Sequence, residues 1–268
     1  MSLPTDSSVL CLSDLHGSFY TLTRLLNVAP KGVQLVFAGD LVDRGPHSRK
    51  VVEFAMKNGI PTCAGNHEDL LLAFYHRKAH CADMYDPGVW LDNGGQHTLR
   101  NWPVIDKRGC STPAEAQRYN RDQYLGGRVP DDVLDWMEGL PPYLFPSKQM
   151  DENGRQLLVS HSGYGLNADN GDWFSTLWGH HLHGDGPFVR GEDGEELDDN
   201  LFRVFGHSRL EKAIVAPTYA AIDSGAAYKA PYGTLSALLW PSKVVLTQRY
   251  DESPVKPKFT IQSGGLLT

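Results

Sequence analysis

The amino-acid sequence predicts an α/β fold, an α/β/β/α sandwich of two mixed sheets flanked by helices, and two observations support this prediction. The first third of the chain alternates short apolar runs with segments of helical periodicity, which is typical of parallel strands joined by right-handed crossovers. The last third contains short apolar runs separated by Gly, Pro and Asp turns, which predicts a second sheet packed against the first. We expect a single domain over residues 1–268, with a helical insertion around residues 70–138.

Three strands and two helices are predicted in the first 64 residues. The first strand, Val9–Leu12, precedes a helix over Phe19–Asn27 whose leucines recur at helical spacing. A second strand over Val33–Ala38, a helix over His47–Lys57 and a third strand over Ile60–Ala64 complete the series. Because the carboxyl ends of parallel strands meet at one edge of a sheet, we expect the polar residues that follow each strand to lie together.

The rest of the chain changes character twice. From about Leu70 to Glu138 the periodicity is helical, and the segment from Gly163 to Asn200 is rich in Gly, Asp and Asn, which predicts a long surface loop. The strands expected in the second sheet are five short apolar runs: Leu157–Val159, Phe202–Phe205, Tyr219–Ile222, Leu235–Leu239 and Val244–Leu246.

The composition argues against several classes of function. A net charge of −7 argues against a protein that binds nucleic acid or anionic membranes, because both partners require a basic surface. No apolar run is as long as a membrane span and the first residues show no signal sequence, so we expect a cytoplasmic protein. Because the cysteines form no CxxC pair, Cys11 and Cys63 are expected to be free, buried thiols. The sequence leaves the oligomeric state open.

Six side chains that can bind metal ions lie in five short clusters that contain glycine. They are Asp14, His16, Asp40, Asn66, His161 and His207. Carboxylate, imidazole and carboxamide ligands without a thiolate suit a divalent ion such as manganese, iron or zinc. One carboxylate can bridge two such ions, and a pair of ions favours in-line attack on phosphorus. The clusters therefore predict two divalent metal ions, with Mn²⁺ favoured and iron or zinc as alternatives.

These clusters spell five motifs in a fixed order: Asp-x-His-Gly, Gly-Asp-x-x-Asp-Arg-Gly, Gly-Asn-His-Glu, His-x-Gly and Gly-His. Together they resemble the motifs of the calcineurin-like metallophosphoesterases. Within that family the chain looks like the phosphoprotein phosphatase branch, which includes serine/threonine protein phosphatases and symmetrical diadenosine tetraphosphate hydrolases. The resemblance extends from Val9 to about Leu239 and implies the metallophosphoesterase-type sandwich.

The resemblance also implies a role for each motif residue. The first metal ion would bind Asp14, His16 and Asp40, and the second would share Asp40 and also bind Asn66, His161 and His207. A hydroxide that bridges the two ions would attack phosphorus, with His67 as the general acid. Asp43 would fix the tautomer of His67 and raise its pKa, and Arg44 would bind the phosphoryl group.

The sequence departs from the family pattern at several positions. Ala64 stands where eukaryotic protein phosphatases have an arginine, which removes one phosphate contact, and Ser208 replaces the usual threonine of Gly-His-Thr. Arg190 is the only arginine between Gly163 and Asn200, and we therefore consider it a candidate for a further phosphate-binding residue.

Three functions are compatible with the motifs. The first is hydrolysis of phosphomonoesters, with a serine/threonine phosphoprotein or a small phosphoester as substrate, because the acidic segment Glu192–Asp199 would repel polyanions. The alternative is a symmetrical dinucleoside polyphosphate (diadenosine tetraphosphate) hydrolase, for which the aromatic residues of the predicted loop could stack on adenine. A noncatalytic phosphate-binding scaffold is a third reading, although such a protein would not need His67.

Overall fold

The computed structural model describes most of the chain and all of the motif clusters. The described residues are 8–80, 87–102, 127–163, 173–179, 182–183, 186–187, 200–228 and 231–268. The architecture is α/β, with two mixed sheets flanked by helices, as the sequence predicts.

The described strands and helices are short. The strands are β1 (Val9–Leu12), β2 (Val33–Phe37), β3 (Tyr143–Leu144), β4 (Gln156–Ser160), β5 (Leu182–His183), β6 (Gly186–Pro187), β7 (Leu201–Phe205), β8 (Ile214–Val215), β9 (Tyr219–Ala221), β10 (Thr234–Trp240), β11 (Val244–Arg249), β12 (Ile261–Gln262) and β13 (Leu266–Leu267). The helices are α1 (Phe19–Val28), α2 (Ser48–Asn58), α3 (Asn66–Phe74), α4 (Pro87–Trp90), α5 (Gln96–Asn101), α6 (Asp131–Glu138) and α7 (Trp173–Trp178), and a π-helical turn over Leu91–Gly95 joins α4 to α5.

The first sheet has the strand order β11-β10-β1-β2-β13-β12, and the second has the order β3-β4-β7-β9-β8. β1 and β2 are parallel, as are β4, β7 and β9, whereas β10 and β13 pair antiparallel to β1 and β2. Each sheet therefore has parallel strands at its centre and antiparallel strands at its edges.

The strand β1 is apolar throughout because both of its faces are buried. Leu10 and Leu12 belong to the core between the first sheet and the helices, whereas Val9 and Cys11 belong to the core between the two sheets. Side chains alternate between the faces of a strand, so a continuous apolar run is what a strand covered on both sides requires. The same alternation places Val36 of β2 between the sheets.

The prediction of a third strand over Ile60–Ala64 is wrong. The segment runs parallel to the end of β2 but forms a single bridge, Phe37 with Thr62. Pro61 has no N–H to extend a ladder, and β13 pairs with the beginning of β2 on its second edge. The segment nevertheless delivers Asn66 to the same sheet edge as the parallel strands.

The assignment of all five late strands to the second sheet is also wrong. Only the first three of them, now β4, β7 and β9, lie in that sheet, whereas β10 and β11 complete the first sheet beside β1. An apolar pattern locates a strand but carries no information about its partner, because both sheets contribute to the same core.

Between residues 70 and 138, the described part of the chain contains the end of α3 and the helices α4, α5 and α6. The predicted long loop between Gly163 and Asn200 is wrong in part, since it contains α7 and the hairpin of β5 and β6. Arg190 and the acidic segment Glu192–Asp199 lie outside the described residues.

Two further predictions can be compared with the structure. Cys11 and Cys63 are free and buried, as expected, and burial raises the pKa of both thiols. Among the described helices, none combines the length and the apolar character needed to cross a membrane.

Candidate metal centre

The motif clusters lie at the carboxyl ends of parallel strands from both sheets. Asp14 follows β1 and Asp40 follows β2, whereas His161 and His207 follow β4 and β7 of the second sheet. Asn66 opens α3. Several contacts join the sheets here. For example, the backbone N–H of His207 donates to Asp14 Oδ2 at 3.0 Å, and His161 Nδ1 lies 2.9 Å from the carbonyl oxygen of Ala38. The site is therefore at the seam between the two sheets.

Asp40 occupies the middle of the cluster. Its Oδ2 lies 3.5 Å from His16 Nε2, and its Oδ1 lies 3.4 Å from His161 Nε2. Two sets of possible metal ligands share this carboxylate: His16, Asp40 and His67 form one, and Asp14, Asp40 and His161 form the other. All of these side chains are buried. Asp40 thus has the position required of a bridging ligand.

Two further ligand atoms converge with His161 Nε2 on one side of Asp40. Asn66 Oδ1 lies 2.8 Å from His161 Nε2 and 3.1 Å from His207 Nδ1, and the two histidine nitrogens are 3.2 Å apart. This is the group that the sequence assigns to the second ion. On the other side, His16 Nε2 is 4.0 Å from Asp14 Oδ1.

The tautomers of the buried histidines fit a role as metal ligands. His16 Nδ1 is 2.7 Å from the carbonyl oxygen of Val42, and His161 Nδ1 makes the same kind of contact with Ala38. A carbonyl oxygen only accepts hydrogen bonds, so each Nδ1 carries the proton and each Nε2 directs a lone pair at the carboxylates. Burial lowers the pKa of His16 well below its ordinary value and that of His161 to about 4, which keeps both rings neutral.

The carboxylates at the centre repel one another. Burial raises the pKa of Asp14 to about 6, and burial together with Asp14 and Glu68 raises the pKa of Asp40 well above its ordinary value. Buried carboxylates held this close to neutral imidazoles require positive charge to ionise, and divalent metal ions supply it. The donor set therefore fits the two predicted ions.

His67 and Asp43 form a buried pair beside this cluster. His67 Nδ1 lies 2.5 Å from Asp43 Oδ2, and the carboxylate also accepts hydrogen bonds from Trp90 Nε1 at 2.8 Å and Thr98 Oγ1 at 2.6 Å. The ring is thereby oriented so that Nε2 faces Asp40, 3.9 Å from its Oδ2. In this orientation His67 can donate a proton into the cluster or bind an ion there.

The expectation that Asp43 raises the pKa of His67 is wrong. Burial, followed by the charge of Arg44, lowers the pKa of His67 well below its ordinary value, and burial raises the pKa of Asp43 to about 7. In a dry site the separated charges of an imidazolium and a carboxylate are disfavoured. The contact between Asp43 and Nδ1 therefore fixes the direction of the ring without creating a charged pair.

Arg44 lies at the mouth of the cluster. Its Nη1 contacts His16 Nε2, and its guanidinium carbon is 5.2 Å from the centre of the Tyr228 ring. Its backbone N–H donates to the carbonyl oxygen of Gly94 at 3.4 Å. Because Gly94 has a φ of 109° and its backbone touches Arg44, the Asn93-Gly94 segment supports the site structurally.

The backbone of the site is strained into the left-handed region. Six of the eight described non-glycine residues with positive φ are site residues: Asp14, His16, Asp40, Asp43, Arg44 and His207. Glu68 holds the turn at Asp40, because its carboxylate accepts the backbone N–H groups of Asp40 and Leu41, both at 2.8 Å. Such strain persists only where the surrounding contacts fix it.

Sequence reasoning brought the nine motif residues together but missed their supports. Glu68 received no role, Trp90 and Thr98 were not connected with Asp43, and Arg209 and Tyr228 were not placed at the site. Two segments were available signals because they also look like family segments: Trp90–Gly95, and Ile222–Tyr228, which was expected to turn a late strand towards the site. Trp178, one of the aromatic residues of the predicted loop, lies edge-on to His207, with ring centres 6.2 Å apart.

Comparison with known proteins adds a family to this geometry. The family model described as calcineurin-like phosphoesterase matches residues 7–210. Among curated relatives, the bis(5'-nucleosyl)-tetraphosphatase PrpE [asymmetrical] of Bacillus subtilis is 25% identical, over 92% of this chain and 98% of that protein. The protein of the same name from Anoxybacillus flavithermus is 23% identical, over 86% of this chain and 89% of that protein.

Solved structures share the fold at lower sequence identity. A putative diadenosine tetraphosphatase superposes with a TM-score of 0.54 at 18% identity, covering 94% of this chain and 97% of that chain. A Saccharomyces cerevisiae protein serine/threonine phosphatase with similarity to human phosphatase PP5 superposes with a TM-score of 0.51 at 17% identity, covering 95% and 84%. At these identities the likeness concerns the fold alone.

Proposed function

The chain belongs to the calcineurin-like phosphoesterase family, and we propose that it hydrolyses the phosphate chain of a dinucleoside tetraphosphate with two divalent metal ions. One observation carries the proposal. Asp40 lies between two groups of metal-binding side chains, with one carboxylate oxygen 3.5 Å from His16 Nε2 and the other 3.4 Å from His161 Nε2. A carboxylate in this position can hold two ions close together.

The two ions would divide the remaining ligands between the sheets. We assign the first ion to Asp14, His16 and Asp40, and the second to Asp40, Asn66, His161 and His207. When bound, the ions would polarise the phosphoryl oxygens and lower the pKa of the attacking water. Manganese, iron and zinc all suit this nitrogen and oxygen donor set.

The residues of the chain then supply the proton and the orientation. A water that has released one proton to solvent adds to phosphorus, and the bond from phosphorus to the leaving oxygen breaks. That oxygen takes the Nε2 proton of His67, and the proton of Asp43 moves to Nδ1 of the same ring. Asp43 keeps Nε2 directed into the cluster through the 2.5 Å contact with Nδ1. Arg44, whose guanidinium reaches His16, binds the non-bridging oxygens of the transferred phosphoryl group.

The choice of substrate rests on two features. The curated relatives described above carry the name of an asymmetrical tetraphosphatase, and two arginines, the partly buried Arg44 and the exposed Arg209, contact the ring of Tyr228 near the cluster. The segment Glu192–Asp199 favours a second candidate, a phosphoserine or phosphothreonine protein, because it would attract basic peptides.

A direct assay separates these substrates. Manganese-loaded protein is incubated with diadenosine tetraphosphate, a phosphoserine peptide and an aryl phosphate, and Asp40→Asn protein serves as the control for contaminating phosphatases. We expect the dinucleotide to have the highest kcat/KM, by about tenfold or more. A higher value for the peptide would establish the second candidate instead. The products locate the cleaved bond, since two diphosphates indicate the central linkage and a triphosphate plus a monophosphate an outer one.

Replacement of His67 tests the mechanism independently of the substrate. His67→Asn should retain two metal ions per chain by elemental analysis, yet lose rate on an alkyl phosphate by about 10²–10⁴-fold, the usual loss for a general acid. The loss should be milder for nitrophenyl phosphate, whose leaving group departs without a proton. Equal losses on both substrates, or the loss of one ion, would identify His67 as a metal ligand.

A further inference from the structure

A pair of tyrosines after β9 holds two arginines beside the metal centre. The guanidinium carbon of Arg209 lies 4.0 Å from the ring centre of Tyr228 and 5.4 Å from that of Tyr232. Arg44 lies 5.2 Å from the same Tyr228 ring. Both arginine distances end at the centre of the Tyr228 ring, so the separation of the two guanidinium carbons cannot exceed the sum of these distances. That sum is on the scale of a short phosphate chain.

The described residues that precede Tyr228 are fixed by their own hydrogen bonds. The backbone N–H of Gly225 donates to Asp223 Oδ1 at 2.8 Å, and the N–H of Tyr228 donates to the carbonyl oxygen of Gly225 at 2.9 Å. Gly225 has a φ of 68°, and a Cβ there would lie 2.7 Å from Tyr232. The neighbour of Arg209, Leu210, donates its N–H to Asp223 O at 2.9 Å. The arginine and the rings are thus held together before any ligand binds.

The charge of Arg209 is available to a ligand. The residue is exposed, and within the described ranges its guanidinium forms ring contacts but no hydrogen bond or ion pair. A ring face attracts the cation without occupying its N–H donors, so the planar fork stays free to bind an anion. The surrounding centre is rich in carboxylates, and the chain has a net charge of −7. A polyanion would need local cations of this kind to approach.

We propose that Arg209, supported by Tyr228 and Tyr232, binds the phosphates beyond the cleaved bond and so selects a polyphosphate chain over a simple monoester. The inference rests on the proposed function, in which Arg44 takes the phosphoryl group at the metal centre. A monoester ends at that group and cannot reach a second arginine. A dinucleoside tetraphosphate continues, and its next phosphates meet the guanidinium of Arg209.

Binding of two probes to the manganese-loaded protein tests this assignment by calorimetry. One probe is a methylene-bridged diadenosine tetraphosphate, which cannot be cleaved at the bridged positions, and the other is inorganic orthophosphate. Arg209→Ala should raise the Kd of the dinucleotide analogue on the order of tenfold, as expected for the loss of charge-assisted hydrogen bonds. The Kd of orthophosphate should change by a much smaller factor. Arg128→Ala, which removes an exposed arginine paired with Asp131, should change neither value.

Variants of the ring separate this role from a general effect of charge. Tyr228→Phe should keep the analogue affinity, whereas Tyr228→Leu should weaken it in the same direction as Arg209→Ala, because only the first retains the ring face. Equal weakening of both probes by Arg209→Ala, or no weakening at all, overturns the assignment. If the wild-type protein binds the analogue through Arg209 but does not cleave diadenosine tetraphosphate, the proposed function fails while the assignment stands. If the protein cleaves diadenosine tetraphosphate but Arg209→Ala does not change the affinity for the analogue, the assignment fails while the proposed function stands.

Discussion

At the scale of single residues, the site combines unfavourable backbone geometry with unfavourable charge. Left-handed conformations at non-glycine residues cost on the order of 1–3 kcal/mol each, and several motif residues adopt them. Asp40 adds a buried carboxylate beside Asp14 and Glu68. Without metal ions, these residues oppose folding, and the rest of the structure must offset them.

Asp40→Asn tests this opposition. In metal-free protein at neutral pH, the variant should be more stable than the wild type, because burial and the neighbouring carboxylates of Asp14 and Glu68 raise the pKa of Asp40 and disfavour its ionised form. The pKa of Asp40 is raised on folding, so its penalty grows as pH rises above the ordinary carboxyl pKa and disappears below it. The advantage of the variant should therefore shrink as pH falls from about 8 to about 4.

Denaturant unfolding of both proteins over that pH range, with a chelator present, measures the difference. Manganese provides the internal control, because it should stabilise the wild type and have little effect on Asp40→Asn. A metal-free variant that is less stable than the wild type at every pH would contradict the account.

The residues of the proposed metal centre could be selected from the sequence because their chemistry is encoded locally. An aspartate and a histidine within one tetrapeptide indicate a pair of metal ligands even when the fold is unknown. The supports were not predictable, because Thr98 and Trp90 reach Asp43 across about fifty residues of sequence. The lowered pKa of His67 was missed for a related reason: its main cause is burial, which motif spacing does not report.

At the scale of elements, local periodicity located most strands and helices but not their partners. β1 and α1 were found nearly to the residue, since an apolar run and a helical repeat are local properties. β10 lies beside β1. This pairing could not be predicted from local pattern, because every strand in the chain is a possible partner for the free edge of β1. Pro61 argues against a third strand because it has no N–H, and this explains why the segment forms only the bridge between Phe37 and Thr62.

The helix α1 gains its N-terminal partner from the far end of the chain. Glu252 accepts hydrogen bonds from the backbone N–H groups of Tyr20 at 3.0 Å and Thr21 at 2.9 Å, and from Thr21 Oγ1 at 2.6 Å. The first turn of α1 contains no acidic residue. A carboxylate at this end both satisfies free donors and complements the helix dipole. The contact therefore ties the C-terminal segment to the helix that follows the first metal ligands.

Glu252→Ala should lower the free energy of unfolding by about 1–3 kcal/mol, the usual range for lost hydrogen bonds to a charged group. Urea unfolding is the measurement. Glu53→Gln is the matched control: Glu53 is 52% exposed and pairs with Arg49 within α2, so its loss should cost no more than about 0.5 kcal/mol. If the two variants are equally stable, Glu252 does not anchor the helix.

At the scale of the whole molecule, the proposed metal ligands come from both sheets. Asp14 and Asp40 follow strands of the first sheet, and His161 and His207 follow strands of the second. An ion bound by both sets links the sheets across their seam. Metal binding should therefore stabilise the two sheets together.

Manganese at about 100 times its Kd should raise the free energy of unfolding by about 2.7 kcal/mol. Amide hydrogen exchange should slow in β4 and β7 as well as in β1 and β2. His161→Ala should lose most of this protection, whereas His47→Asn, outside the cluster, should keep it. Protection confined to the first sheet would show that the ions do not bridge the seam.

The pairing of the earliest strands with the latest ones has a consequence for synthesis of the protein. Gln34 in β2 donates a hydrogen bond to Gly264, 230 residues later, and β1 pairs with β10. A ribosome adds about 5–20 residues per second, so β1 and β2 emerge on the order of tens of seconds before the strands that cover their edges. During that interval a nascent chain displays apolar edges together with the first two metal-binding motifs. Chaperone occupancy of this early segment, which ribosome profiling of bound chains can map, should persist until β10 to β13 have been made.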